Sequence, residues 1–135
     1  MIGKTEKSGW QVGVRKTIQI PVSSLWNLIT QPQILKIFTG DSKIVDDILN
    51  LDMLSESGIH YKITTFVPSS HIRMKWRFAD WEKYSILQIR TIDAGESKSV
   101  LAVHQEKLKD QNTRLEMKEY WHQKIEYLLE LIKII

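Results

Sequence analysis

The C-terminal part of the chain carries a broad apolar stripe at helical spacing, and this stripe constrains the fold more than any other feature. Its main apolar residues recur at intervals of four, four, three and four, and they are Met117, Trp121, Ile125, Leu128 and Ile132. This spacing predicts an amphipathic helix over residues 112–133, about 33 Å long at ~1.5 Å per residue. Asp110 or Asn112 is the expected N-terminal cap. Because the stripe is broad, the helix needs a large apolar surface to pack against.

A run of strands precedes this helix and supplies such a surface. In the clearest strand, one face alternates strictly with the other: Ile72, Met74, Trp76 and Phe78 against His71, Arg73, Lys75 and Arg77. An apolar residue at every second position is typical of a half-buried strand. Weaker alternation predicts further strands at residues 11–20, 43–54, 59–67, 84–92 and 97–106. The short connections between most of these strands favour antiparallel pairing.

Two short helices are predicted between the first and second strands. Pro21 ends the first strand, and Ser23 or Ser24 is the expected cap of the first helix. Pro32 opens the second short helix, which ends at Gly40. The order of elements is therefore one strand, two short helices, a run of strands and one long helix.

Strands grouped ahead of a helix imply an α+β fold rather than alternating α/β units. We predict a helix-grip domain, in which a curved antiparallel sheet of about six to seven strands wraps around the C-terminal helix. The two short helices would close the gap between them. Residues 1–135 are expected to form one such domain, since this length is ordinary for a single hydrophobic core.

Composition and spacing exclude several classes of function. The chain has no cysteine, which rules out disulfides, thiolate catalysis and cysteine-based zinc sites. The four histidines do not form a metal-binding motif. A polar N-terminus and the lack of a long apolar run predict a cytoplasmic protein without a membrane span. The net charge of +3 comes from 19 basic and 16 acidic residues, so nucleic acid is not an expected partner.

Several stretches resemble the START-like, or SRPBCC, superfamily, and more closely its branch related to the activator of the heat-shock protein 90 ATPase. The first is residues 14–32, where a strand and Pro21 lead into a helix with Trp26, Thr30 and Pro32. Residues 73–76 followed by Trp81, the pair 85–90 and 101–108, and residues 116–121 resemble later parts of the same pattern. The resemblance covers residues 14–132 and implies a seven-stranded antiparallel sheet around the C-terminal helix.

The superfamily gives only a broad indication of function. The resemblance implies binding of lipids, steroids or polyketides, and only some members are enzymes, because one fold hosts many activities. This chain departs from the pattern at Phe38, where relatives usually have Trp. It also lacks a long glycine-rich loop before Gly58 and is shorter than many relatives, and its cavity is therefore expected to be small or closed.

The leading hypothesis is a non-catalytic protein that holds a small hydrophobic molecule, lipid-like or aromatic, between the sheet and the C-terminal helix. The ligand would enter beside the second short helix. The expected lining consists of aromatic and apolar side chains on inward faces, namely Phe38, Tyr61, Met74, Trp76, Phe78, Trp121 and Ile125. Indole N–H groups would orient the ligand, although plain core packing is the alternative role for each residue. No catalytic residue and no cofactor is predicted.

Two other functions stay open from the sequence. A cyclase- or hydrolase-type enzyme on this scaffold needs a titratable group inside the cavity, and Glu106 is the best candidate. A chaperone-linked or other protein-interaction module would instead have a closed core. In that case the basic face around Arg73, Lys75 and Arg77 would bind an acidic partner. The apolar end at residues 131–135 leaves a weak homodimer open as well.

Overall fold

Seven antiparallel strands form one sheet in a computed structural model of the protein, which describes residues 4–5, 9–41 and 48–134. The strands are β1 Lys4–Thr5, β2 Gly9–Ile18, β3 Met53–Leu54, β4 Ile59–Val67, β5 His71–Phe78, β6 Ser85–Asp93 and β7 Ser99–Leu108. The helices are α1 Val22–Ile29, α2 Pro32–Thr39 and α3 Gln111–Ile134. The strand order is β1-β2-β7-β6-β5-β4-β3. This architecture confirms the predicted helix-grip α+β fold.

The two-residue period of the strands determines which face of the sheet is buried. On β5, Ile72, Met74 and Trp76 are completely buried, while Arg73 and Lys75 between them are exposed. Strands β4, β6 and β7 repeat this alternation, so one sheet face supplies most of the core. The opposite face holds the charged side chains of β5 together with other polar and some aliphatic side chains, and it is partly open to solvent.

The long helix packs its predicted stripe against this inner face. Met117, Trp121, Ile125 and Leu128 are all buried and belong to the same hydrophobic core as the strands. The helix begins at Gln111 because the carboxylate of Asp110 accepts a hydrogen bond from the backbone N–H of Thr113 at 2.7 Å. This bond satisfies one of the free amide groups in the first turn. It also lowers the pKa of Asp110 below its ordinary value.

The structure corrects three local predictions. The cap of α1 is Pro21 rather than Ser23 or Ser24, because the helix already begins at Val22 and no side chain caps it. Of the strand predicted at 43–54, residues 43–47 lie outside the described residues, and only Met53–Leu54 pairs in the sheet. Short strand β1 was not predicted, since two residues are too few to show a period.

No helix in the described part of the chain is long and apolar enough to cross a membrane.

Candidate functional site

An aromatic cluster fills the space between the sheet and α3 at the place where the sequence predicts a ligand cavity. The centroid of the Trp76 ring lies 4.7 Å from that of Phe78 and 5.4 Å from that of Trp121. Phe38 of α2 stacks on Trp121 with 6.0 Å between ring centroids, and Tyr120 meets Trp121 edge-on at 4.8 Å. Stacked and edge-to-face contacts of this kind stabilise a core beyond the area they bury. Three elements, β5, α2 and α3, are thereby joined through aromatic rings.

The two buried indoles of this cluster have hydrogen-bond partners inside the protein. Trp76 Nε1 donates to the backbone carbonyl of Phe38 at 2.9 Å, and Trp121 Nε1 donates to Gln105 Oε1 at 2.6 Å. Gln105 Nε2 in turn donates to Ser85 Oγ at 2.8 Å, and the Ser85 hydroxyl donates to the carbonyl of Trp76 at 2.6 Å. Gln105 is completely buried. The indole N–H groups are therefore occupied by protein atoms.

All seven residues predicted to line a cavity belong to the hydrophobic core or pack against it. Six of them are buried, with at most 2% of each residue exposed, and Phe78 is half-buried at the edge of the cluster. Their position on the inner side of the sheet follows from the period of each strand and helix. Whether any of them contacts a ligand stays a prediction.

A buried pair, Tyr61 and Asp41, adds a polar feature that the sequence did not indicate. The Tyr61 hydroxyl donates to Asp41 Oδ2 at 3.2 Å, and both residues are buried. Burial, reinforced by the nearby carboxylate, raises the pKa of Tyr61 to about 12. Asp41 directly follows Gly40, whose φ of 74° ends α2, so in the sequence it reads only as part of a helix stop. The contact joins residues 20 positions apart, and no local pattern encodes it.

Glu106, the candidate acid–base residue, lies on the outer face of the sheet, away from the aromatic cluster. Its Oε1 accepts a hydrogen bond from Arg73 Nη2 at 3.1 Å, which makes an ion pair across the sheet. The structure therefore does not place Glu106 inside a cavity, which the enzyme alternative requires. Strand alternation explains the difference, because Glu106 neighbours the inward-facing Gln105. The same alternation places Arg73 on the face of the sheet opposite to that of Trp76, as predicted.

Among the clefts on the described part of the chain, two lie outside the aromatic cluster. One has a volume of about 300 Å³ between α2, the turn before β4 and α3, and it is lined by Lys36, Ile37, Gly40, Glu56, Ser57, Lys124 and Tyr127. The other has a volume of about 460 Å³ beside β2 and α3, and it is lined by Gly13, Val14, Arg15, Leu115, Lys118, Glu119 and His122. Within the described residues, no group of three or more His, Asp and Glu side chains is placed to hold a metal ion.

An antiparallel sheet covered on one face by a long C-terminal helix and two short helices defines the START-like class of helix-grip domains. The chain belongs to the family described as activator of Hsp90 ATPase homolog 1-like protein, whose sequence profile matches residues 19–133. The resemblance noted from the sequence is thus confirmed. Among curated proteins there is no match to this chain.

Solved structures share the fold at low sequence identity. An Hsp90 activator from Plasmodium falciparum, PFC0360w, is 21% identical with a TM-score of 0.73, and the match covers 92% of this chain and 96% of that one. A START superfamily protein from Mycobacterium smegmatis is 9% identical with a TM-score of 0.62, covering 90% and 98%. DynU16, a putative protein in the dynemicin biosynthetic locus, is 13% identical with a TM-score of 0.76, covering 91% and 47%. The chain thus spans about half the length of DynU16, and these similarities show the fold alone.

Proposed function

We propose that this protein is a non-catalytic protein-interaction module, with residues 1–135 acting as one START-like domain whose closed core is a rigid scaffold. The observation that carries this proposal is the hydrogen-bonded aromatic cluster between the sheet and α3. Its rings occupy the space that a ligand would need, and its indole N–H groups bond to Phe38 and Gln105. A guest would have to break these contacts, and breaking them leaves buried donors without partners.

An Hsp90-family chaperone is the first partner to test. The family description names such an activator, and the Plasmodium falciparum neighbour, which is described as an Hsp90 activator, aligns over 96% of its own length. These similarities support the choice of partner, while the packed core supports binding through the surface.

Two measurements on the full chain test this proposal. Native mass spectrometry of the purified protein is expected to give the mass of the bare polypeptide, and the ATPase rate of an Hsp90-family chaperone is expected to change saturably when the protein is added. A small molecule that co-purifies in equal proportion would contradict the closed core. A chaperone whose rate and binding signal do not respond would contradict the chaperone link.

The variant Trp76→Phe tests whether the aromatic core only supports the fold or also takes part in binding the chaperone. It removes the indole N–H that bonds to Phe38 while keeping an aromatic ring in the cluster. We expect a lower melting temperature but an unchanged effect on the chaperone at temperatures where the variant is folded. A chaperone effect lost in the folded variant would count against a purely structural role for the core.

A second candidate function is the binding of a small hydrophobic molecule, which would enter through the surface cleft beside α2 and contact the predicted lining of Phe38, Tyr61, Met74, Trp76, Phe78, Trp121 and Ile125. The cleft of about 300 Å³ favours it, because this cleft opens beside α2, where ligand entry is predicted, and its volume is at the lower limit of small-molecule sites. Thermal-shift measurements with lipids and aromatic compounds test it. A saturable rise lost in Tyr127→Ala but kept in Leu115→Ala supports binding there, since both residues are exposed and line different clefts. No rise with any compound contradicts it.

A further inference from the structure

The outer face of the sheet carries a cluster of positive charge that the aromatic core does not explain. Outward positions on three neighbouring strands hold Lys62, Arg73, Lys75, Arg77 and Arg90, which together are called the cationic face. At the outward positions of β4 to β7, within the described residues, the one carboxylate is Glu106. The face therefore has an excess of about four positive charges, although the whole chain has a net charge of +3.

Strand register places two of these cations directly against each other. Lys62 on β4 lies directly opposite Lys75 on β5. Like charges at directly opposed positions of an antiparallel pair destabilise the sheet. The fold thus keeps an unfavourable arrangement on this face, and a bound anion would relieve it.

Three members of the cationic face remain available to a partner. Arg73 is paired with Glu106 at 3.1 Å, and Arg77 donates to three backbone carbonyls at the end of β5 and in the turn that follows it. Lys62 is 3.9 Å from Asp52, whose side chain is 80% exposed, and a contact so open to solvent is weak. Neither Lys75 nor Arg90 forms an ion pair with any residue that the structure describes.

We propose that the cationic face docks an acidic segment of a partner protein, with Lys62, Lys75 and Arg90 as its main contacts. This inference rests on the proposed function as a protein-interaction module and names the chemistry of the partner. Neighbouring strands lie about 4.8 Å apart, and outward residues on one strand repeat every ~6.7 Å. Lys62 and Lys75 lie side by side at one end of this set, and Arg90 lies four residues along β6 from the partner of Lys75, ~13 Å away. An extended segment with a carboxylate at every second residue covers this distance in four residues, so its carboxylates reach both ends together.

The remaining outward positions favour a protein over a nucleic acid. Between the cations and beyond them, β6 and β7 present partly exposed aliphatic side chains, which are Ile86, Ile92, Val100 and Ala102. Such side chains pack against apolar residues of a peptide. None of the outward positions of β4 to β7 in the described chain holds Phe, Tyr or Trp, the residues on which unpaired bases stack.

The test is binding of a labelled acidic peptide, in which Glu alternates with Val, measured by fluorescence anisotropy at low and at physiological salt. The triple variant Lys62→Gln, Lys75→Gln and Arg90→Gln is expected to weaken binding about tenfold at low salt. A matched control removes the same charge from exposed turn and loop positions, with Lys83→Gln, Lys98→Gln and Lys109→Gln. At physiological salt the control is expected to keep the wild-type affinity within about twofold, because a Debye length of ~8 Å largely screens exposed charges that do not touch the peptide.

Each other outcome overturns the inference. Equal weakening in both triple variants shows that the peptide responds to net charge alone, and no binding of the wild type shows that the face does not dock acidic segments. Tighter binding of single-stranded DNA, or of vesicles that contain an anionic lipid, at the same salt assigns the face to another class of partner. If the cationic-face variant still acts on the chaperone as the wild type does, the docking inference fails while the proposed function stands.

Discussion

Replacing Gln105 by Leu removes the side chain that joins Trp121 to Ser85 in the core. The substitution conserves most of the volume but leaves the buried indole N–H of Trp121 without an acceptor. An unpaired buried donor costs about 1–3 kcal/mol, and the lost bond to Ser85 costs about 1 kcal/mol more. Relief from burying an amide offsets part of this loss. We therefore expect the free energy of unfolding to fall by ~2 kcal/mol, which for 135 residues lowers the melting temperature by ~7 °C.

A double-mutant cycle with Trp121→Phe assigns the loss to the hydrogen bond rather than to shape. Once the indole N–H is absent, Leu at position 105 leaves no donor unpaired, so the double variant should be ~1 kcal/mol more stable than the sum of the single effects predicts. Urea unfolding followed by far-ultraviolet circular dichroism measures all four proteins, because this signal does not depend on Trp fluorescence.

Gln88→Leu is the matched control for this cycle. Gln88 lies half-buried on the outer face of β6, and its substitution should change the free energy of unfolding by less than about 0.5 kcal/mol. The reasoning is refuted if Gln105→Leu is as stable as the wild type, or if the two substitutions are additive within error.

Three further predictions concern the edges of the core. Gly40→Ala should lower the free energy of unfolding, measured in urea, by ~2 kcal/mol or more, because φ is 74° and a Cβ there would lie 2.8 Å from a side-chain carbon. Gly58→Ala is the matched control: φ is 79°, but no atom lies within 4 Å of the added Cβ, so the loss should be only about 1 kcal/mol. Equal losses of stability in the two variants would show that the close approach at Gly40 does not affect stability. Burial raises the pKa of both Tyr61 and Tyr120 to about 12, so the folded state holds these protons longer than the unfolded state does. Stability should be unaffected by these groups below pH 10 and fall as the pH rises from about 10 to 12, and a pH series of melting temperatures should show a flatter decline when both are Phe. Asp110→Ala should lower the melting temperature and Asp110→Asn should not at neutral pH, since both Asp and Asn can cap the first turn of α3. Because folding lowers the pKa of Asp110, the stability that its carboxylate contributes is present above about pH 4 and is lost as the pH falls through the folded pKa. This is contradicted if the difference in melting temperature between the wild type and the Ala variant stays constant in acid.

Local periodicity was sufficient to predict most of the fold. The alternation from His71 to Phe78 matches β5 residue for residue, and the stripe through Trp121 and Ile125 matches the buried side of α3. Both patterns come from the backbone geometry of one element, so they are readable without knowing what the element packs against. Caps were less predictable, because Pro21 and the two serines after it all tolerate the start of a helix.

The sequence predicted which residues belong to the candidate site, but not whether they line a cavity or fill the core. Strand and helix periods place Phe38, Trp76 and Trp121 on inward faces, and the structure brings them together. Whether such residues leave a cavity or fill it depends on distances of a few ångströms between elements, which no period contains. The Tyr61–Asp41 bond was missed for the same reason, since it depends on how α2 sits over β4.

The sequence by itself determined the type of each main element, the inward and outward side of each strand and the need for a sheet broad enough to cover one long helix. These properties follow from where hydrophobic side chains occur along a backbone of fixed period, because burying them is the main force that drives folding. Tertiary structure alone decided that the indoles bond to Phe38 and Gln105 and that Lys62 faces Lys75 across two strands. Both depend on register and on the approach of separate elements, which are set by the packing of the whole chain rather than by any one segment of it.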